Sequence, residues 1–266
     1  MKRLLNSLKI GTLALVKNYP TRLTEKDELQ SLIQRLFPVS PGKELIRLGP
    51  ESDGGYLIPD DLAGIEACFS PGVDVVSGFE KDCAALGMKV FLADRSIDQP
   101  TESSSLFHFT KKYVGVTTND DFMTIDDWVA SSLPGSNTDL MLQIDIEGYE
   151  YETFLGVSDG LMRRFRIIVA EFHYLDQLWS RPFFRLASRM FEKILQTHTC
   201  VHIHPNNGFR PLKKGGLTIP PITEFTFFRN DRICNASFAS VFPHPLDFDN
   251  TVNPHFPLPR CWYASR

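Results

Sequence analysis

From about residue 42 onward, the sequence alternates between short apolar runs and longer polar stretches, and this alternation limits the folds that the chain can adopt. Several of the runs are apolar almost throughout, which is typical of strands that are covered on both faces. The polar stretches between them have the spacing of helices that connect successive strands. The pattern predicts an α/β fold with helices at 79–86, 125–131, 150–155 and 183–197, and with about seven strands, at 67–70, 89–93, 113–116, 140–144, 167–171, 200–204 and 224–229.

Different patterns flank this region. Apolar residues recur at helical spacing before Pro38, so we expect a helical extension over residues 1–45. Five prolines follow residue 241, and they exclude a continuing helix or a central strand there. The chain is therefore predicted to have three parts: the helical extension, an α/β domain at residues 46–230, and a proline- and aromatic-rich tail at residues 231–266 that packs on the domain as a strap.

Charge and cysteine content narrow the functional class. The chain has 28 Lys and Arg against 32 Asp and Glu, and proteins that neutralise phosphates usually carry a basic surplus, so we expect no nucleic-acid partner. The five cysteines include no CxxC pair, and the apolar run near the start is interrupted and too short to cross a bilayer. We therefore expect a cytoplasmic protein with reduced thiols and no transmembrane segment. The first helices could also pair two copies into a homodimer.

The turn after the first predicted strand suits a nucleoside-containing cofactor. The strand runs through Ser70 into a turn at Gly72, and a helix begins near Glu80, so backbone N–H groups would face a ligand there. The second strand ends at Asp94, 22 residues after Gly72, where a carboxylate can accept the hydroxyl groups of a ribose. Because the turn lacks the GxGxxG glycines that a pyrophosphate requires, S-adenosylmethionine fits better than a dinucleotide.

Acidic residues follow two later strands. Asp145 and Glu147 come after the strand at 140–144, and alternation places them on one side of the chain. Glu171 and His173 end the next strand in the same way. Carboxylates so close together repel unless a sulfonium, a metal ion or a shared proton lies between them. The sequence therefore predicts either a proton-transfer group or a hard-metal site, since carboxylates and imidazole serve both.

These residues carry a family resemblance. The segments DLMLQIDIEGYEYETFLG and FRIIVAEFH, preceded by TIDDWV, resemble the FkbM-type S-adenosylmethionine-dependent methyltransferases. RLGPESDGGYLIPDDL, FSPGVDVVSGFE and VHIHPNN are similar to one branch of that family, and together the segments cover roughly residues 46–230. The chain departs from many methyltransferases at one point, since SPGV replaces the usual acidic-x-Gly-x-Gly turn.

The resemblance implies a Rossmann-like, seven-stranded, mostly parallel sheet of the class I methyltransferase type, with the strand at 224–229 antiparallel to the rest. It implies methylation of a hydroxyl on a sugar or natural product, with Asp145 near the methionine arm and with Glu171 and His173 near the acceptor. The cofactor contacts it implies are Asp53, Gly54, Tyr56, Ser70, Gly72, Glu80 and Asp94.

His173 is the expected general base, because its unperturbed pKa of about 6.5 suits proton removal near neutral pH. Asp145 and Glu171 are the other candidates, and a divalent ion could replace the base by acidifying the hydroxyl. A metal-dependent hydrolase using Asp145, Glu147, Glu171 and His173 is the main alternative. A nucleotide-binding oxidoreductase is a weaker one, and a non-catalytic binding protein on the same fold is the third.

Overall fold

The computed structural model describes residues 20–73 and 77–264. Its helices are α1 (Lys26–Arg35), α2 (Gly78–Ala85), α3 (Ile125–Ser132), α4 (Glu150–Gly156), α5 (Asp159–Met162) and α6 (Arg181–Leu195). Its strands are β1 (Val39–Ser40), β2 (Leu45–Leu48), β3 (Tyr56–Pro59), β4 (Ile65–Pro71), β5 (Lys89–Ala93), β6 (Phe107–Thr110), β7 (Tyr113–Val114), β8 (Phe122–Met123), β9 (Asp139–Ile144), β10 (Phe165–Phe172), β11 (His198–Pro205), β12 (Leu212–Lys214), β13 (Leu217–Ile219), β14 (Thr223–Arg229) and β15 (Ser237–Phe238). The part of the predicted helical extension before residue 20 lies outside the described residues.

A seven-stranded sheet forms the centre of the molecule, in the order β11-β14-β10-β9-β4-β5-β6. Five neighbouring strands of this sheet pair in parallel, in the order β10, β9, β4, β5 and β6. β14 lies antiparallel to both of its neighbours, β10 and β11. The predicted Rossmann-like, mostly parallel sheet with an antiparallel last strand is confirmed.

The predicted strand at 113–116 is wrong as a member of this sheet. β6 takes the edge position beside β5, and Tyr113–Val114 pairs instead with Phe122–Met123 in a separate two-stranded ladder. An edge strand has one partner and remains partly exposed, so β6 tolerates His108 and Thr110 and lacks a continuous apolar run. The apolar residues that follow it therefore gave the stronger signal although they lie outside the sheet.

Helices cover one face of the sheet, and a helix and a hairpin cover the other. α6 shows why the helices form where they do, since its buried side chains Phe184, Ala187, Met190, Phe191 and Ile194 recur every three or four residues and share one side. They pack with apolar residues of α1, α3 and α4 in the larger core. α2 and the β2–β3 hairpin enclose a smaller core on the opposite face. None of the described helices is long and apolar enough to cross a membrane.

The tail contacts both faces of the sheet. Trp262 is buried in the larger core, and its Nε1 donates to the Thr218 carbonyl at 3.0 Å. Earlier in the tail, Asp247 accepts from His202 Nε2 at 2.8 Å, and Asn250 donates to Glu224 at 2.7 Å. Asn250 therefore lies at the end of β14, near the residues that the sequence singles out.

Candidate functional site

The ends of β4 and β9 meet at Gly72. This residue has a φ of +85°, and a Cβ built on it would lie 1.5 Å from the carbonyl oxygen of Asp145. The backbone N–H of Asp145 also donates to the Pro71 carbonyl at 3.3 Å. Only glycine permits this approach, so the turn after β4 fixes where the chain leaves β9.

His173 lies among three carboxylates at this edge, and we call Asp145, Glu147, Glu150 and His173 the histidine group. His173 Nε2 is 3.4 Å from Glu147 Oε2 and 3.9 Å from Asp145 Oδ1. On the other side of the ring, Nδ1 is 3.3 Å from Glu150 Oε1. Only 5% of His173 is exposed, so the imidazole is held between acidic side chains with little contact with water.

Glu150 is anchored by the loop that precedes its own helix. Its Oε1 accepts from the backbone N–H groups of Ile146 and Gly148, each at 3.0 Å. Glu150 is also the first residue of α4, where the helix dipole favours a carboxylate. The Tyr151 hydroxyl then donates to the His173 carbonyl at 2.5 Å, so α4 holds both the ring and the backbone of His173.

The backbone around the histidine group is strained. Glu147 and Tyr174 have φ values of +57° and +61°. Residues other than glycine rarely adopt this backbone conformation, which costs about 1–3 kcal/mol for each residue. Between them, a Cβ on Gly148 would lie 2.3 Å from the Tyr174 ring. Such strain concentrates at functional sites, which makes this loop a candidate for one.

The pKa values of Asp145 and His173, two members of the histidine group, are both raised. Burial raises the pKa of Asp145 to about 7; the nearby His173 acts against this shift, and the Glu150 and Glu147 carboxylates add to it. Burial acts to lower the pKa of His173, but the hydrogen bond and charge of Glu150, together with the charges of Asp145 and Glu147, outweigh it and raise that pKa. Among the described residues, Asp145 Oδ1 is buried without a hydrogen-bond partner. The group is therefore suited to exchanging a proton near neutral pH or to binding a cation.

Glu171 belongs to a second set of carboxylates, which we call the acidic group: Asp53, Glu171 and Glu224. One oxygen from each lies within 4.8 Å of the others. Glu224 faces Glu171 directly across the antiparallel β10–β14 pair. Burial raises the pKa of Glu171 well above its usual value, and the Asp145 and Glu224 charges add to the shift. The structure thus divides the predicted four-residue set, because Glu171 lies with Asp53 and Glu224 while His173 lies with Asp145 and Glu147.

Three of the predicted cofactor contacts form a buried chain beneath the edge. Ser70 Oγ is 2.5 Å from Glu80 Oε1 and 2.6 Å from Gln143 Oε1, and Gln143 Nε2 donates to the Tyr56 hydroxyl at 3.3 Å. Burial raises the pKa of Glu80. All four residues are less than a tenth exposed, so they support the edge from below.

The remaining predicted contacts lie in different places. Gly72 and Asp94 are adjacent at the ends of β4 and β5, and Asp94 Oδ1 accepts from the backbone N–H and hydroxyl of Ser96, each at 2.6 Å. Gly54 has a φ of +77° and faces open space. Asp53, its neighbour, is directed to the acidic group. The structure therefore gathers the predicted residues along one edge without joining them in a single cluster.

Sequence reasoning missed three residues that the structure brings to this edge, Gln143, Glu224 and Asn250. It also missed the supporting role of Glu150. Glu224 had a usable signal, since it is a charged residue at the start of an aromatic strand, TEFTFFR. Asn250 had none, because its partners lie 26 and 197 residues away in the chain.

A family model described as the methyltransferase FkbM domain matches residues 74–211, just over half of the chain. The matched region includes Asp94 and the strand ends that carry Asp145, Glu171 and His173. A search of curated proteins found no match. The match spans five of the seven strands of the central sheet, β5, β6, β9, β10 and β11. The chain therefore belongs to the FkbM methyltransferase family.

Proposed function

We propose that this protein is an S-adenosylmethionine-dependent O-methyltransferase that acts on a hydroxyl of a small molecule such as a sugar or natural product. The observation that carries the proposal is the placement of His173, whose Nδ1 faces the anchored Glu150 while its Nε2 is directed toward Asp145 and the exposed Glu147. A base oriented in this way can take a proton from an acceptor hydroxyl.

The edge fits the cofactor on chemical grounds. When bound, S-adenosylmethionine supplies a methyl group on a positively charged sulfonium. Asp145 offers a buried carboxylate oxygen without a partner among the described residues, which suits a positive charge nearby. Asp94 stands at the end of β5 to accept ribose hydroxyls, and Gly72 keeps the turn beside it narrow.

The residues of the histidine group would divide the work of methyl transfer. Glu150 holds Nδ1 and so leaves Nε2 directed to the acceptor. The acceptor hydroxyl would give its proton to His173 Nε2, and the bound cofactor would supply the methyl group for the acceptor oxygen. A positive charge next to Asp145 lowers the pKa of His173, which frees Nε2 to accept that proton. His173 then returns the proton to solvent.

Substitution of His173 by alanine tests the base. Turnover, measured as transfer of labelled methyl to a panel of hydroxylated small molecules, should fall by about 10²–10⁴-fold. Calorimetry should show unchanged affinity for S-adenosylhomocysteine, since His173 does not hold the cofactor. His255→Ala, which removes a half-exposed histidine of the tail, should change neither quantity. Loss of cofactor affinity together with turnover in H173A would contradict the base assignment.

Cofactor binding itself is tested by thermal stability. S-adenosylmethionine and S-adenosylhomocysteine should raise the Tm in proportion to RT ln(1 + [L]/Kd). No shift at saturating ligand would contradict the proposed function and would favour a non-catalytic binding protein.

A divalent cation is the second candidate for activating the hydroxyl. Asp145, Glu147 and His173 each offer a ligand atom, and these atoms lie within 4.8 Å of one another. A cation there would lower the pKa of the acceptor hydroxyl and so take the place of a general base. The same cation could instead serve the alternative metal-dependent hydrolase. The family match favours methyl transfer over hydrolysis. If chelation abolishes methyl transfer and E147Q removes its rescue by Mg²⁺, the metal replaces the base.

A further inference from the structure

The acidic group brings three carboxyl groups together in a largely buried space. Glu171 and Glu224 are 4% and 6% exposed, while Asp53 is exposed at the opening of the group. Among the residues that the structure describes, none of the three forms an ion pair with a lysine, arginine or histidine. The charges of His204 and Arg47 act on Glu224. His204 Nδ1, however, lies 3.7 Å from Asp247 Oδ1, and Arg47 donates to three backbone carbonyls. Like charges buried so close together require protons or a cation.

Amide side chains orient the carboxylates. Asn250 Nδ2 donates to Asp53 Oδ1 at 2.8 Å and to Glu224 Oε1 at 2.7 Å. Asn206 Nδ2 donates to Glu171 Oε1 at 3.0 Å. Each carboxylate is thus fixed through one oxygen and keeps its second oxygen for another partner. Metal-ligating carboxylates are commonly held by hydrogen bonds of this kind.

An independent observation concerns the other end of the Asn250 amide. Asn250 is 9% exposed, and its Oδ1 is buried without a hydrogen-bond partner among the described residues. Nδ2 donates to both Asp53 and Glu224, so the carbonyl oxygen, which is bonded to the same carbon as Nδ2, lies next to the acidic group. A carbonyl oxygen can only accept, and carboxylates cannot donate to it. A cation would satisfy this oxygen and the free carboxylate oxygens together.

We propose that Asp53, Glu171, Glu224 and the Asn250 carbonyl oxygen hold a hard divalent cation of the Mg²⁺, Ca²⁺ or Mn²⁺ class. A donor set made only of oxygens selects such ions over softer metals. Three carboxylates favour a divalent ion over a singly charged ammonium, which would leave more of the buried charge uncompensated. The exposed Asp53 gives the ion a path from solvent. This site uses none of the residues of the neighbouring histidine group and does not depend on the proposed methyl transfer.

Calorimetric titration of the chelator-treated, full-length protein with calcium chloride and with manganese chloride tests the site. D53N and N250A should each weaken binding by at least about tenfold. Glu51→Gln is the matched control, because it neutralises an exposed carboxylate two positions from Asp53 and should leave the affinity unchanged. E147Q, which alters the histidine group, should also leave it unchanged. Absence of binding by either salt at millimolar concentration, or loss of binding in E147Q with D53N and N250A unaffected, would overturn the proposal.

Glu224→Gln separates ligation from a purely structural role. Removing one of three repelling carboxylates should leave the Tm of the metal-free protein unchanged or higher, while the rise in Tm caused by calcium in the wild type should disappear. A lower metal-free Tm with an undiminished response to calcium would show that Glu224 is structural, and would overturn the assignment.

Discussion

At Gly72 the chain leaves β4 with its Cα against the carbonyl of Asp145, the residue that faces His173 from the end of β9. A side chain here must displace the end of β9, because a contact of 1.5 Å cannot be relieved by rotating a side chain. The position of Asp145 relative to His173 therefore depends on a residue that touches neither the imidazole nor the carboxylate directly.

Gly72→Ala should disrupt the site. We expect a loss of several kcal/mol of unfolding free energy and, in the folded fraction, weaker binding of S-adenosylhomocysteine, because Asp145 is displaced. Gly135→Ala is the matched control: Gly135 also has a positive φ, +76°, but a Cβ there meets nothing within 4 Å. It should cost only about 1 kcal/mol, from backbone strain alone. Urea unfolding and calorimetry measure both effects, and equal losses in the two variants would contradict the argument.

At the scale of the elements, a fully buried titratable side chain, that of His198, joins β11 to β10. His198 begins β11, and its Nε2 lies 2.7 Å from the Phe165 carbonyl of β10. Its Nδ1 lies 2.8 Å from the Thr197 hydroxyl, so a neutral ring that donates from Nε2 and accepts at Nδ1 satisfies both contacts. Burial lowers the pKa of His198 to about 4.

This pKa predicts how stability changes with pH. Between pH 6.5 and 4 the unfolded chain binds a proton at His198 while the folded chain does not, so the contribution of this residue is full above pH 6.5 and falls as the pH drops toward 4. The loss should reach about 3 kcal/mol. His198→Gln should lose less stability than the wild type between pH 7 and pH 4.5 in urea unfolding. The same pH dependence in both proteins would show that His198 does not titrate in this way.

At the scale of the whole molecule, the tail joins the two faces of the sheet. Trp262 fills the larger core, where its ring packs edge-on against Phe225 at 6.0 Å between centroids. Asn250, twelve residues earlier, contacts Glu224 of the same strand at the site edge. Packing of the tail and assembly of the acidic group are therefore linked through β14.

Trp262→Ala should destabilise the protein by about 3–5 kcal/mol, the usual cost of removing a large buried aromatic side chain. Val252→Ala is the control within the same tail, since Val252 is fully exposed and should change stability by less than about 0.5 kcal/mol. Urea unfolding measures both variants, and limited proteolysis should cleave the tail of W262A faster. Wild-type stability in W262A would show that the tail does not contribute to the core.

Local patterns in the sequence predicted most of the central sheet. Periodicity and turn residues are properties of neighbouring positions, so they predicted the α/β class, six of the seven sheet strands and the acidic strand ends at Asp94, Asp145 and Glu171. They failed at the edge strand β6, where exposure weakens the apolar signal. They also could not show that Ser70, Glu80 and Tyr56 are joined beneath the surface by Gln143.

The sequence by itself determined six of the seven sheet strands, the glycine turn after β4 and the family, because each depends on short runs of residues. Only the tertiary structure decided which strand ends are neighbours. β14 inserts between β10 and β11, and this places Glu224 beside Glu171 and brings His204 into the same row. The tail then adds Asn250 to that row. Such contacts join residues far apart in the chain. They depend on the order of the strands and on the path of the tail, and no local sequence pattern encodes either of these.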